Sequence, residues 1–113
     1  MFNLFEKRPQ NYHAIGPEEF NALKARKGHV VLDVRSPQEA RDGSIQGGIQ
    51  INFFDPHFRS KLEKLDKSQA YLVYCRSGNR SAQACSLMAD LGFDQLYNLS
   101  GGINAWKAYA QNS

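Results

Sequence analysis

From residue 29 onward the chain alternates short unbroken apolar runs with stretches where apolar residues return every three or four positions. Val30-Val31-Leu32, within His29 to Asp33, lacks polar alternation and reads as a strand covered on both faces. Tyr71-Leu72-Val73-Tyr74 predicts a second strand over Ala70 to Tyr74, Leu96 to Leu99 a further short one, and Ile49-Gln50-Ile51-Asn52-Phe53 alternates like a strand. Helical spacing fills the intervals. Ile15-Gly16-Pro17-Glu18-Glu19-Phe20 reads as a helix start, with Pro17 in the first turn, acids near the positive end of the dipole, and Phe20 and Leu23 on the buried side. Ser36 with Glu39 three positions later predicts a short capped helix over Ser36 to Ala40. Phe58, Leu62 and Leu65 recur at i, i+4 and i+7, and Ala84, Leu87, Met88 and Leu91 line a longer helix that starts near Arg80 or Ser81 and ends at a left-handed Gly92. Gly101-Gly102 turns into a last helix with Ile103, Trp106 and Ala110 on one side.

Strands alternating with helices, joined by short connections, predict an α/β domain: a mainly parallel sheet with helices on both faces and right-handed crossovers. At 113 residues the chain fits one domain, 1–113, with a core over about 12–110, and leaves no room for a separate catalytic module. A hydrophobic fraction of 42% and a charged fraction of 22% are ordinary for a globular domain. The net charge of +3 favours anionic ligands, but the basic residues are dispersed, and the densest cluster, Lys24 to Lys27, reads as a solvated helix face rather than a nucleic-acid surface. Met1 to Arg8 lacks an apolar signal region and no run approaches the roughly 18 apolar residues of a membrane span, so a soluble, cytoplasmic protein is expected. Cys75 and Cys85 are expected as free thiols. His13, His29 and His57 lack ligand spacing, and no metal is expected.

Candidate chemistry concentrates where the strand ending at Tyr74 meets the following helix, through Cys75-Arg76-Ser77-Gly78-Asn79-Arg80. Open parallel sheets bind ligands beyond the carboxyl ends of their strands, and the first N–H groups of a helix have no internal acceptor. Gly78 leaves no side chain in the cradle and tolerates backbone conformations others do not. Arg76 and Arg80 bracket the loop, so a thiol there is biased toward the nucleophilic thiolate. Cys85, beside Ala84 and Met88 inside a helix, reads as core. An activated thiol in an anion cradle leaves sulfur and phosphoryl chemistry both open.

Cys75-Arg76-Ser77-Gly78-Asn79-Arg80-Ser81 closely resembles the active-site loop of rhodanese-like sulfurtransferases. Leu32-Asp33-Val34-Arg35 resembles that family's strand-end Asp-x-Arg element, Gly43 to Asn52 its Gly-His-Ile-Pro-Gly-Ala-Ile-Asn-Ile segment, and Gly101 to Trp106 its terminal Gly-Gly-x-x-x-Trp. The four occur in order and cover roughly Ile15 to Tyr109. Departures are Ser44 for His, Gln46 for Pro and Gly48 for Ala, which read as variation in a structural turn near the rim and leave acceptor preference open.

The resemblance implies a single rhodanese-like domain with a five-stranded parallel sheet and a persulfide on Cys75 as its only covalent intermediate, without a cofactor. It implies a small-molecule donor such as thiosulfate and, as acceptor, cyanide, a small thiol or a protein thiol. Backbone N–H groups from Arg76 to Arg80 would stabilise the bound charge, Arg80 fixing the loop and adding positive field, and Arg76 pointing outward to the donor's sulfonate unless it is simply a solvent arginine. Asp33 and Arg35 are expected to tie strand end and loops together, and Trp106 to dock the last helix. Phosphatase and arsenate-reductase loops place their arginine one position later, where Ser81 stands; the six residues from Cys75 to Arg80 make a smaller ring that suits a persulfide. The alternatives are a non-catalytic rhodanese-like binding module and a phosphatase or arsenate reductase.

Overall fold

The computed structural model describes residues 11–112, so the reading of Met1 to Arg8 lies outside the described residues. The elements are β1 (His13–Ile15), α1 (Pro17–Lys24), β2 (His29–Asp33), α2 (Pro37–Arg41), β3 (Gly48–Gln50), α3 (Phe58–Glu63), β4 (Ala70–Tyr74), α4 (Asn79–Asp90), β5 (Leu96–Leu99) and α5 (Gly102–Gln111). The strands form one five-stranded sheet in the order β1-β5-β4-β2-β3, parallel at every pairing. No helix among the described residues is long and apolar enough to cross a membrane.

Central β4 is buried along its whole length, as expected of a strand covered on both faces. Its side chains alternate: Tyr71 and Val73 join Leu32, Leu62, Ala84 and Met88 in the core under α3 and α4, while Leu72 and Tyr74 join Phe20, Leu99 and Ile103 in the core under α1 and α5. From β4 the chain moves to β5 on one side, and from β2 to β3 on the other. The crevice beyond the carboxyl ends of β2 and β4 is therefore a topological switch point, the place where such sheets hold ligands.

Three boundaries differ from the sequence reading. Ile15 belongs to β1, and α1 starts at Pro17 behind an extended Gly16; the strand is three residues long with two of them exposed, so it shows no period. Strand β3 is Gly48–Gln50 rather than Ile49 to Phe53, although Ile51 N and Phe53 N still donate to Asp33 O and Val34 O at 2.9 and 3.0 Å. Helix α4 starts at Asn79, one residue before the expected range, because Gly78 completes the turn. The Ser36–Glu39 capping box forms as read.

Candidate active site

Cys75 continues the alternation of β4 and faces the α4 side, 1% exposed. The chain then folds back over it. Gly78 adopts φ 105, a left-handed conformation that L side chains rarely take, and a Cβ there would press on Gly101 N and Leu99 O at 3.3 and 3.4 Å. With the turn closed this way, Cys75 Sγ accepts from Gly78 N–H at 3.1 Å, Ser81 N–H at 3.4 Å and Ser81 Oγ at 3.3 Å. Burial pushes the thiol up, but the Ser81 hydroxyl and the N–H groups of Ser81, Gly78 and Ser77 outweigh it and lower its pKa below the ordinary cysteine value. The sulfur thus sits among donors that favour negative charge.

The loop's first carbonyls are seated on the start of α5. Ile103 N donates to Cys75 O at 2.9 Å and Asn104 N to Arg76 O at 3.3 Å. This approach requires Gly102, since a Cβ on it would collide with the carbonyls of Arg76 and Cys75. Trp106, half-buried one turn on, meets Phe20 edge-on at 5.8 Å and holds α5 against α1.

Arg80 makes none of the hydrogen bonds described at Sγ, although its charge still acts on the sulfur. Both its terminal nitrogens donate to Glu39, at 2.8 Å each, and its guanidinium lies 5.6 Å from the ring of exposed Phe54. Glu39 closes the α2 capping box as well, and its carboxyl is lowered to about 2, chiefly by the Arg80 hydrogen bonds. Arg80 therefore ties the loop to α2, and its charge is largely met there. Arg76, Ser77 and Asn79 are exposed on the loop's outer side, and Arg76 shares a shallow polar recess with Asp42, Asn104 and Lys107.

Beyond β2, Asp33 and Arg35 form a buried bidentate pair, with Nη2 2.7 Å from Oδ2 and Nε 2.9 Å from Oδ1. Arg35 also donates to Gly43 O, Ser44 Oγ and Glu39 O, and the Tyr74 hydroxyl donates to Asp33 while accepting from Ile45 N. Burial opposes the Arg35 charge, yet the Asp33 hydrogen bonds and field prevail and raise its pKa. The pair fastens α2 and the following loop to the strand ends. Its contacts run to structure, away from Sγ.

The loop residues expected from sequence therefore cluster at one strand end, whereas Asp33, Arg35 and Trp106 lie around it as supports. Three contributors went unread: Glu39 as the partner of Arg80, Ser81 as a donor to sulfur, and Asn98, buried beside them, which accepts from Ser81 Oγ and donates to Gly78 O. The signal at Glu39 pointed to a cap, Ser81 closed the loop motif without a role of its own being read, and Asn98 had none. Both cysteines are free, and no group of metal-ligating side chains comes together among the described residues.

A parallel α/β domain with a cysteine loop at its switch point defines a class whose chemistry runs through an activated thiol. The rhodanese-like domain family model matches residues 16–109, and the chain belongs to that sulfurtransferase-related family. It is 31% identical over 97 residues to the thiosulfate sulfurtransferase GlpE of Ectopseudomonas mendocina, covering 86% of each chain. It is 39% identical over 92 residues to the tRNA uridine(34) hydroxylase of Cytophaga hutchinsonii, matching 77% of this chain but only 29% of that protein's length. The crystal structure of a rhodanese-related protein from Thermoplasma volcanium superposes with a TM-score of 0.76 at 34% identity, covering 87% of this chain and 93% of that one.

Proposed function

We propose that this domain transfers a sulfane sulfur from thiosulfate, or a similar small donor, to cyanide or a thiol acceptor through a persulfide on Cys75. The observation that carries the reading is the convergence of Gly78 N–H, Ser81 N–H and the Ser81 hydroxyl on one buried, polarised Sγ inside a six-residue loop. The Cys75 thiolate attacks the outer sulfur of thiosulfate; the S–S bond of the donor breaks, sulfite leaves with the electron pair, and the negative charge moves to the new terminal sulfur. An acceptor nucleophile then attacks that terminal sulfur and regenerates the thiolate. The loop N–H groups hold the charge throughout, and exposed Arg76 meets the donor's sulfonate. Free thiols suit a reducing compartment such as the cytoplasm.

Intact mass spectrometry tests this. Mixing with thiosulfate should add one sulfur, about 32 Da, which cyanide removes and Cys75→Ser never gains. A chain that stays at its original mass with thiosulfate, yet hydrolyses a phosphoester in a Cys75-dependent way, would move the assignment to phosphoryl chemistry.

A further inference from the structure

Ser81 and Asn98 meet beneath the cysteine loop, 0% and 6% exposed. The Ser81 oxygen lies 3.3 Å from Cys75 Sγ and 2.5 Å from Asn98 Oδ1. A hydroxyl carries one proton and donates to one of these acceptors at a time. Asn98 does not resolve the competition by turning its amide over. Its Nδ2 is held 3.2 Å from the carbonyl of Gly78, which only accepts, so Oδ1 must face Ser81. In this buried setting an acceptor that loses its donor has no bulk water to replace it.

We propose that Asn98 is a positioning residue that competes with Cys75 for the single Ser81 proton and thereby favours the resting forms of the cysteine over its bare thiolate. In the protonated form, the Cys75 thiol donates to Ser81 Oγ and Ser81 donates to Asn98, a chain in which every proton is used. On ionisation the hydroxyl turns to Sγ and Asn98 Oδ1 loses its donor. Once a sulfur is attached the charge sits on the outer atom, Sγ becomes a neutral bridge, and the hydroxyl returns to Asn98; this last step alone rests on the persulfide reading. The other titratable or charged groups around Cys75 are the adjacent Arg76, exposed on the loop's outer side, Arg80, engaged by Glu39, the Cys85 thiol on α4, and Tyr74 with the Asp33–Arg35 pair at the strand ends. They are the same in every variant compared below.

The test is the pH dependence of Cys75 alkylation by iodoacetamide in the full chain, without thiosulfate. Ser81→Ala removes the donor and should raise the midpoint by about one pH unit, and Ser81→Thr, which restores the hydroxyl, should bring it back. Asn98→Leu, or Asn98→Ala, removes the competitor and should lower the midpoint by about half a unit or more, but should not lower it when combined with Ser81→Ala. If Asn98 only held Gly78 in place, its loss would loosen the loop N–H groups and raise the midpoint with or without Ser81. That result, or a fall that persists in the Ser81→Ala background, overturns the proposal. In the unmodified chain, the Asn98 side-chain amide resonances should titrate with the thiolate and move back after sulfur loading; resonances indifferent to ionisation overturn it too. Failure to load sulfur with the alkylation shifts intact would sink the persulfide reading and leave the competition standing.

Discussion

Glu39→Gln removes the charge that ties the cysteine loop to α2 while leaving an acceptor for Ser36 N–H, so the capping box can persist. The Glu39 carboxyl is lowered from 4.5 to about 2, with the Arg80 hydrogen bonds the largest cause. Taken whole, a shift of that size corresponds to about 3 kcal/mol. The two side chains remain 20% and 30% exposed, so screening and the ordering of two long chains reduce the net effect to about 1–1.5 kcal/mol. Because the folded pKa lies below the unfolded one, this stabilisation is complete above pH 4.5 and is lost as pH falls through about 2. Urea unfolding followed by Trp106 fluorescence should therefore find the variant weaker by about 1–1.5 kcal/mol at pH 7, with Tm lower by about 5–10 °C. The gap should shrink by about half or more near pH 3. Equal stability at pH 7, or a gap at pH 3 as wide as at pH 7, would refute the reasoning.

Three substitutions probe the supports, and alkylation probes the second thiol. Asp33→Asn leaves the Arg35 guanidinium, 3% exposed, without its countercharge and should cost about 3–5 kcal/mol in urea unfolding. Tyr74→Phe loses one hydrogen bond to Asp33 and one from Ile45 and should cost about 1–2 kcal/mol; a cost equal to that of Asp33→Asn would contradict this ranking. The Cys85 thiol, 0% exposed, is pushed up to about 12 by burial and by the neighbouring Cys75. Native alkylation at pH 8 should accordingly add one label by intact mass, on Cys75, and a second only in denaturant. Gly102→Ala, forced to hold φ 60 while its Cβ meets the carbonyls of Arg76 and Cys75, should lose at least about 3 kcal/mol, read from its thermal melt; a loss under about 1 kcal/mol would show that the loop is not seated on α5 as described.

What could be read from the sequence follows from where burial leaves a local trace. Strands β2 and β4 are legible because covering both faces removes polar residues from the run. Strand β1 leaves no such trace: His13 and Ala14 are exposed, and Gly16-Pro17 draws Ile15 toward the helix it precedes. All three residues of edge strand β3 are exposed, and the alternation that suggested it comes from Ile51 and Phe53, which pack on the core just past its end. At the site, Cys75 and Gly78 announce themselves by residue type. Ser81 closes the loop motif, but its residue type alone reads as the first turn of a helix. Asn98 reads as a polar position in a short strand, and its meaning appears only when β5 is placed beside β4 with Asn98 opposite Val73, two residues before Cys75 on the same face.

The same placement explains why four separated segments of the chain behave as one site. The cysteine loop rests by its carbonyls on the start of α5, Arg80 hands it to Glu39 and the α2 cap, and Arg35 draws α2 and Gly43-Ser44 onto the strand ends. Arg80 and Glu39 lie 41 residues apart in sequence, whereas Arg35 reaches Gly43 and Ser44 only eight and nine residues on. The donors described at Sγ nevertheless come from the loop and the first turn of α4, and none of them from residues 43–52. Ser44, where the family commonly has His, accepts from Arg35 and donates to Ala40 O, so it finishes the support and leaves the nucleophile's environment alone. The hydrogen bonds at Sγ and those that seat the surrounding loops thus come from different segments. Residues 43–52 therefore act on the frame, through Gly43 and Ser44 on Arg35 and Ile45 on Tyr74, and none of them donates to Sγ.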